Sequence, residues 1–474
     1  MKRTLYTLFI SATLLLSSAS CTDWLDIQPS DRISEENNFS SEAGFKKALN
    51  GVYVEMNQNA LYGKNLTCGF LEVLAQRYAV SDENRSVKEY MLFRYDGSDA
   101  KSIIDAIWST SYKLISNLNA IIKNSETHRD ALPGNTYRII RGEALALRAY
   151  LHFDLFRLFG PAYDESSTFQ TIPYRTEFSL DVAPRLISKD YMAKVVSDIN
   201  EADSLLRDID PVIQYGPKGD SRDDFLCHRN LRMNYYALQA LAMRVYYTMG
   251  NDSLALDKAK NVMAAQETHF PWIIPAKLTA STPDRMFSSE ILFGLQNLQR
   301  GNVYTSCFDG SNLKLNNLLA PRSDVVKQIF ENDQVDYRYS SALKNVVEIN
   351  GTQYSVFNKF QVNNKDSICD QIIPMLRISE AYLIATELST ARSDRLKYLN
   401  EFRNHRGIKS QNWADDYDIK LERQKEFWGE GQLWFWYKRR QMTSIKDAFS
   451  AYGTTGISVD KYVLPMPDSE TKYN

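Results

Sequence analysis

Two stretches of the sequence combine aromatic rings with polar side chains that could hold a ligand. Tyrosine can lay its ring against a ligand and still use its hydroxyl for hydrogen bonding, and Asp, Asn and Arg can bind hydroxyl groups. We expect the two stretches to meet and to bind an extended glycan, although local loop packing is the alternative for each ring. The candidate ligand-binding residues are Tyr78, Asp82, Arg85, Tyr95, Tyr304, Phe308, Asp309 and Asn312.

Catalysis is not indicated by the remaining polar residues. Glycoside hydrolysis needs two carboxyl groups about 5–10 Å apart across a sugar, and carboxylates that adjoin in sequence are more typical of solvated loops. The sequence contains no nucleophile elbow and no phosphate-binding glycine loop. We therefore predict a binding protein without a cofactor rather than an enzyme. The adjacent carboxylates are Asp82-Glu83, Asp223-Asp224 and Asp415-Asp416.

The amino terminus has the pattern of a bacterial lipoprotein export signal. Lys2 and Arg3 precede an apolar run at 5–16, and small residues lead to Cys21. The apolar run is too short to span a bilayer. We predict that residues 1–20 are removed and that Cys21 becomes the acylated first residue, anchored by several acyl chains. The alternative is an ordinary cleaved signal with a chance cysteine.

Composition limits the class of partner. The formal net charge is −2 and the sequence pI is about 6.3, which argues against nucleic acid. No later segment has the apolar length of a membrane helix, so lipid is the only predicted anchor. The five histidines and the cysteines fit no metal-binding spacing. Two disulfides and four free thiols both remain open for Cys68, Cys227, Cys307 and Cys369.

Helical periodicity dominates the rest of the chain. Apolar residues recur at three- and four-residue steps through 138–159, where Gly160-Pro161 ends the helix. Residues 231–249 and the helix that Asp252 or Ser253 would cap form one antiparallel pair, and residues 375–408 form another. Further helices are predicted at 40–58, 99–125, 188–206 and 418–446. Alanine-rich pairs with short turns are typical of tetratricopeptide-like hairpins, although the 34-residue consensus is absent.

Long irregular stretches separate these helices at 61–97, 161–186, 210–227 and 270–374. Strands are predicted at 291–295 and 346–349, with a hairpin at Asn350-Gly351 because that pair favours a tight turn with positive φ. Binding residues usually lie on loops held by a rigid scaffold. Trp272, between Pro271 and Pro275, is a further candidate ring in these loops.

Several segments, in their order along the chain, resemble the SusD/RagB family of Bacteroidetes. Members of that family are surface lipoproteins that capture nutrients beside a TonB-dependent transporter. The amino-terminal match is CTDWLDIQPSD at 21–31, followed by RGEALALRAY at 141–150 and PMLRISEAYL at 374–383. The later matches are Leu399-Asn400, Arg403, Arg406-Gly407, Glu422-Arg423, Glu426-Phe427, Glu430-Gly431 and LPMP at 464–467.

The resemblance implies a mainly α, SusD-like fold, with four tetratricopeptide-like helix pairs, long irregular loops and a few short strands. It places ligand contacts near 78–95 and implies a SusC-like TonB-dependent β-barrel transporter as the partner. It also implies a lipid-anchored protein exposed on the outer membrane. We divide the mature chain into a SusD-like region at 21–270 and a RagB/SusD region at 271–474, packed as one unit.

One position pair departs from the family pattern. The family commonly carries an arginine and an aspartate three residues apart after Glu430-Gly431, where this chain has Leu433 and Trp436. Residues three apart are neighbours on a helix, so both members of a predicted ion pair have become apolar together. We interpret the change as a compensated core substitution that leaves the fold intact.

The predicted function is therefore oligosaccharide binding and delivery to the transporter. The first alternative is an oligopeptide ligand, as in the RagB branch, because aromatic and polar groups serve both ligand classes. The second alternative is a tetratricopeptide-type scaffold lipoprotein, which we would expect to show more regular repeats and shorter connections.

Overall fold

A computed structural model describes residues 38–179, 181–311 and 314–471. The predicted signal segment, the lipidation site Cys21 and the candidate ligand residue Asn312 lie outside the described residues. Within the three ranges, no helix combines the length and the apolar character needed to cross a membrane.

Helices form most of the described structure. In chain order they are α1 (Glu42–Met56), α2 (Phe70–Leu74), α3 (Arg85–Met91), α4 (Ser98–Thr127), α5 (Thr136–Phe159), α6 (Ser188–Leu206), α7 (Pro211–Tyr215), α8 (Tyr235–Thr248), α9 (Asp252–Ala264), α10 (Pro275–Leu278), α11 (Arg300–Cys307), α12 (Ser323–Ile329), α13 (Tyr337–Ala342), α14 (Ile378–Leu388), α15 (Arg392–Asn404), α16 (Asp416–Glu426), α17 (Gln432–Arg439) and α18 (Asp468–Thr471).

The strands are short and form two-stranded antiparallel pairs, β1 with β2, β3 with β6, β4 with β5 and β7 with β8. Their bounds are β1 (Gln170–Pro173), β2 (Arg185–Ile187), β3 (Ile291–Gln296), β4 (Val346–Ile349), β5 (Thr352–Ser355), β6 (Ile372–Arg377), β7 (Ser444–Lys446) and β8 (Thr454–Gly456). The predicted hairpin is confirmed, since Asn350 and Gly351 both have positive φ, at 51° and 75°.

The long helices pack as consecutive pairs, α1 with α4, α5 with α6, α8 with α9 and α14 with α15, and each pair contacts the next. Helices α5 and α6 approach closely at Gly142, where a Cβ would lie 2.8 Å from Cγ of Leu206. Arg148 of α5 donates two hydrogen bonds of 2.7 Å to the Asp198 carboxylate of α6, and both side chains are buried. The predicted mainly α fold with tetratricopeptide-like pairs and few short strands is confirmed.

Three predicted helix boundaries and one predicted helix cap were wrong. Residues 375–377 continue strand β6, because their backbone pairs with β3. The helix predicted at 418–446 is two helices, separated where Gly429 and Gly431 adopt φ of 77° and 70°. Helix α8 begins only at residue 235, because the Asn234 side chain caps it, and Asn251 rather than Asp252 or Ser253 caps α9.

Polar residues within α5 have structural partners. His152 is fully buried, stacks on Tyr174 at 3.8 Å and lies 3.0 Å from the Tyr191 hydroxyl. Burial lowers the pKa of His152 to about 3, so the ring is neutral near pH 7. Asp154 accepts hydrogen bonds from the Tyr62 hydroxyl and from Arg157. His152 and Asp154 therefore have structural partners in the core.

The packing answers the open question of the four cysteines and agrees with the interpretation of Leu433 and Trp436. Cys68, Cys227, Cys307 and Cys369 are all free thiols, two of them buried. Leu433 and Trp436 lie buried on α17, and the Trp436 indole donates to the Glu387 carboxylate at 3.1 Å. Both positions are thus core positions, which agrees with a compensated substitution of an ion pair.

Candidate ligand-binding surface

The two predicted ligand loops do meet, but their rings form core. The Tyr78 ring lies 5.8 Å from the Phe308 ring, and Phe308 also packs against Phe357 at 5.2 Å and Phe360 at 5.9 Å. All four rings are fully buried, and the Tyr78 hydroxyl donates to the Cys68 carbonyl at 2.9 Å. We call these four residues the aromatic cluster. The prediction that Tyr78 and Phe308 offer a surface platform is corrected, because their faces are covered by other rings.

Tyr95 and Trp272 are likewise packing residues. The Tyr95 hydroxyl donates to the Lys461 carbonyl at 2.7 Å, and burial raises its pKa. Trp272 is buried and stacks on His405 at 5.0 Å. Neither ring presents a face for a sugar, so the sequence-based expectation is corrected at both positions.

The polar residues of the first loop remain on the surface. Asp82 is exposed and its carboxylate lies 3.2 Å from the Lys88 ammonium, while Arg85 is exposed at the start of α3. The Lys88 ammonium in turn lies 4.1 Å from the centre of the Phe449 ring. Tyr452, on the same β7–β8 hairpin as Phe449, is 91% exposed. The sequence analysis missed these two rings because they lie far along the chain from Asp82.

The second predicted loop is partly helical. Tyr304 lies on α11, half-buried, and its hydroxyl donates to the Asn358 side chain at 2.9 Å. Burial, with a contribution from Asp309, raises the pKa of Tyr304. The Asp309 carboxylate accepts hydrogen bonds from the backbone and hydroxyl of Ser311 and so fixes the turn after α11. Of this group, Tyr304 lines an open cleft.

A large cleft lies where the end of α1 faces the connection from β3 to α11, and its volume is about 820 Å³. We call it the amide cleft, because seven of its residues are Asn or Gln. It is lined by Val54, Asn57, Gln58, Asn59, Ala60, Gln296, Asn297, Leu298, Gln299, Asn302, Val303 and Ser306. The runs Asn57-Gln58-Asn59 and Gln296-Asn297 are visible in the sequence, but only the fold places them opposite each other.

A second cleft adjoins the first along the 297–302 segment and has a volume of about 680 Å³. We call it the Tyr304 cleft. Leu298 borders both clefts and is 72% exposed, which provides an apolar surface between two polar recesses. The other residues that line the Tyr304 cleft are Asn297, Gln299, Gly301, Asn302, Tyr304, Thr305, Gln361, Val362, Lys365, Asp370 and Gln371.

Hydrogen bonds among the amides fix their orientation. The Asn297 side chain accepts from the Gln299 backbone at 2.7 Å, and the Asn302 side chain donates to Gln299. The Gln296 side chain donates to Gln371 at 2.6 Å. Amides held in this way lose less conformational entropy when a ligand binds. The arrangement suits a ligand with many hydroxyl or amide groups.

Arg300 and Asp370 form a buried ion pair beside the Tyr304 cleft. Asp370 accepts from Arg300 at 3.2 Å and from the backbone of Asn363 and Asn364. Burial lowers the pKa of Arg300 to about 10, which still leaves it charged at neutral pH. This pair therefore holds the loop at 363–371 in place.

The adjacent carboxylates occupy structural or exposed positions. Asp415 caps helix α16 in a capping box, Asp223 accepts from the Phe225 backbone, and Asp82 and Glu83 are exposed. Across 38–179, 181–311 and 314–471, no cluster of three His, Cys, Asp or Glu residues could hold a metal ion. The geometry of the two clefts is that of a binding surface.

Comparison with known proteins agrees with the resemblance found in the sequence. A SusD-like family model, described as "Starch-binding associating with outer membrane", matches residues 23–217. SusD-like protein P2 of Formosa agariphila is 23% identical over 97% of this chain and 96% of its own. A SusD superfamily protein from Bacteroides thetaiotaomicron aligns with a TM-score of 0.71 at 23% identity, covering 92% of this chain and 98% of that chain.

Surface glycan-binding protein A from the same organism has a TM-score of 0.69 at 18% identity, with coverage of 92% and 98%. These two solved structures have the same fold as this chain over nearly its whole length. The family model, the full-length relative and the shared fold agree with the motifs found in the sequence. The chain is thus similar to SusD-like proteins, in sequence over the residues 23–217 that match the family model and in fold over nearly its whole length.

Proposed function

We propose that the protein binds oligosaccharides in the amide cleft and the adjoining Tyr304 cleft and delivers them to a TonB-dependent transporter. The observation that carries the proposal is the pair of clefts, with seven amide side chains in the larger one and exposed Leu298 between the two. Amides can both donate to and accept from sugar hydroxyls. The Leu298 side chain and the Tyr304 ring offer apolar contact to sugar C–H groups.

The family description and one structural neighbour support a glycan ligand. The family model is described as starch-binding, and one structural neighbour is named a surface glycan-binding protein. The surface polar residues Asp82 and Arg85, beside Phe449 and Tyr452, are proposed as a further contact for a long chain. Tyr452 is the more accessible of these two rings, since it is 91% exposed and Phe449 is 37% exposed.

Delivery and location rest on the amino-terminal sequence and on the family. The family model is described as associating with the outer membrane. We propose that Cys21 carries the lipid and that the protein is exposed at the cell surface beside a SusC-like β-barrel. A non-catalytic capture role fits this position, since hydrolysis would be carried out by other proteins.

Cys21→Ser is expected to abolish incorporation of labelled palmitate and to release the protein from the outer membrane fraction. The thiol is the acyl acceptor, and stable anchoring needs more than one acyl chain. Cys227→Ser serves as the matched control, because Cys227 is a free thiol in the folded domain. Unchanged labelling of Cys21→Ser would contradict the lipoprotein assignment.

Gln299→Ala combined with Asn302→Ala is expected to weaken oligosaccharide binding by about tenfold or more. Each hydrogen bond contributes about 0.5–1.5 kcal/mol, and about 1.4 kcal/mol corresponds to tenfold in affinity. Both side chains are exposed, so the variant should keep its stability. Binding is measured by calorimetry with the tightest ligand found on a glycan array.

Asn412→Ala is the control for this experiment, since Asn412 is an exposed amide that lines neither cleft. Equal affinities for wild type and the double variant would exclude the amide cleft as the binding site. The alternative ligand is an oligopeptide, because amide side chains also pair with peptide backbone. A peptide library tested beside the glycan array separates the two classes.

A further inference from the structure

We infer that the amide cleft selects uncharged oligosaccharides and excludes chains that carry carboxylate or sulfate groups. This inference rests on the proposed function and names the ligand class more narrowly. It follows from two features, which are the absence of ionisable residues from the lining of the amide cleft and the pairing of charged side chains beside it.

The lining of the amide cleft contains only neutral side chains. Charged residues make up 24% of the sequence, so about three would be expected among twelve surface residues. The residues that line the amide cleft include no Asp, Glu, Lys, Arg or His. An anionic glycan would lose hydration on entering and would find no cation to compensate for the loss.

Two carboxylates beside the clefts, Glu55 and Asp370, are already paired. Glu55, on the last turn of α1, lies 3.0 Å from the Lys113 ammonium and accepts a hydrogen bond from the Gln58 side chain at 2.8 Å. In the adjoining Tyr304 cleft, Asp370 is held by Arg300 and by backbone N–H groups. Lys365 is the remaining charged residue in the lining of that cleft. The amide cleft therefore has no charged side chain in its own lining, and Lys365 belongs to the adjoining cleft.

The test compares neutral and anionic chains of similar length on the purified mature protein. The neutral probes are maltohexaose, cellohexaose, xylohexaose and mannohexaose, and the anionic probes are hexagalacturonate and a sulfated carrageenan oligosaccharide. We expect at least one neutral probe to bind at least tenfold more tightly than either anionic probe. We also expect its Kd to change less than twofold between 50 and 500 mM NaCl, because surface charge effects are screened by salt.

Asn302→Lys supplies an independent variant, since it introduces a cation at an exposed position of the cleft. It should raise affinity for hexagalacturonate at least fivefold at 50 mM NaCl, whereas Asn412→Lys, outside both clefts, should not. An anionic probe that binds wild type more tightly than every neutral probe overturns the inference and leaves glycan binding standing. An Asn302→Lys variant with unchanged hexagalacturonate affinity also overturns the inference and leaves glycan binding standing. If no probe of either kind binds, the inference and the proposed function both fail.

Discussion

Replacing Glu426 by alanine is expected to lower the free energy of unfolding by about 3–5 kcal/mol, because it leaves buried guanidinium groups without their shared carboxylate. Arg406 lies 2.8 Å from this carboxylate, Arg377 lies 2.6 Å away and Arg338 lies 3.3 Å away. All four side chains are buried. Urea unfolding followed by circular dichroism measures the change.

The Glu426 carboxylate is also expected to make the stability of the protein sensitive to acid. Burial alone would raise the pKa of Glu426, but Arg406 and Arg377 outweigh it and hold the pKa well below the ordinary range. The unfolded chain therefore binds the proton first as pH falls. The stability from this group is present above about pH 4.5, the ordinary value for glutamate, and is lost as pH falls below that value.

Glu426→Gln should accordingly show a smaller loss of stability than wild type between pH 6 and pH 4. Glu83→Ala is the matched control, since Glu83 is exposed, and it should change stability by less than about 0.5 kcal/mol. If Glu426→Ala unfolded at the same urea concentration as wild type, the network would have no net stabilising role.

Phe308→Ala is expected to lower the free energy of unfolding by about 3–5 kcal/mol, because it opens a cavity inside the aromatic cluster. The Phe308 ring is fully buried and packs on Tyr78, Phe357 and Phe360. Phe169→Ala is the control, since that ring is 65% exposed. Thermal and urea unfolding of the two variants gives the comparison.

Phe308→Leu separates packing from ligand contact. It keeps most of the apolar volume, so the domain should remain folded, and oligosaccharide affinity should stay within about twofold of wild type because the ring does not reach the surface. A folded Phe308→Leu protein that no longer binds glycan would show that the ring contacts the ligand. In that case the assignment of Phe308 to the core would be wrong.

The Arg and Glu residues of the carboxy-terminal motifs belong to a buried ion network. Glu422 and Glu426, four residues apart, lie on one face of α16, and Glu430 follows after the helix. Arg377 ends β6, and Arg406 follows α15. These charged side chains hold the carboxy-terminal elements together, so their spacing reports the fold and says nothing of the ligand.

Local pattern was sufficient for most of the helices. The apolar spacing of 188–206 predicted α6 with the bounds that the structure has, and Asn350-Gly351 predicted the hairpin, since both signals depend on neighbouring residues alone. The prediction failed at residues 375–377, where pairing with a strand about eighty residues earlier in the chain overrides an apolar pattern that suits either element.

By itself, the sequence determined the mainly α fold and the resemblance to SusD-like proteins, because periodicity, turn residues and motif order are all properties of the linear chain. Tertiary structure decided which rings face solvent. Tyr78 and Phe308 lie in segments whose aromatic and polar composition is typical of a sugar-binding platform. The two rings, more than 200 residues apart in the chain, nevertheless pack against each other in the core. The amide cleft depends likewise on Asn57 and Gln296 being brought together, and burial is fixed only when distant segments pack.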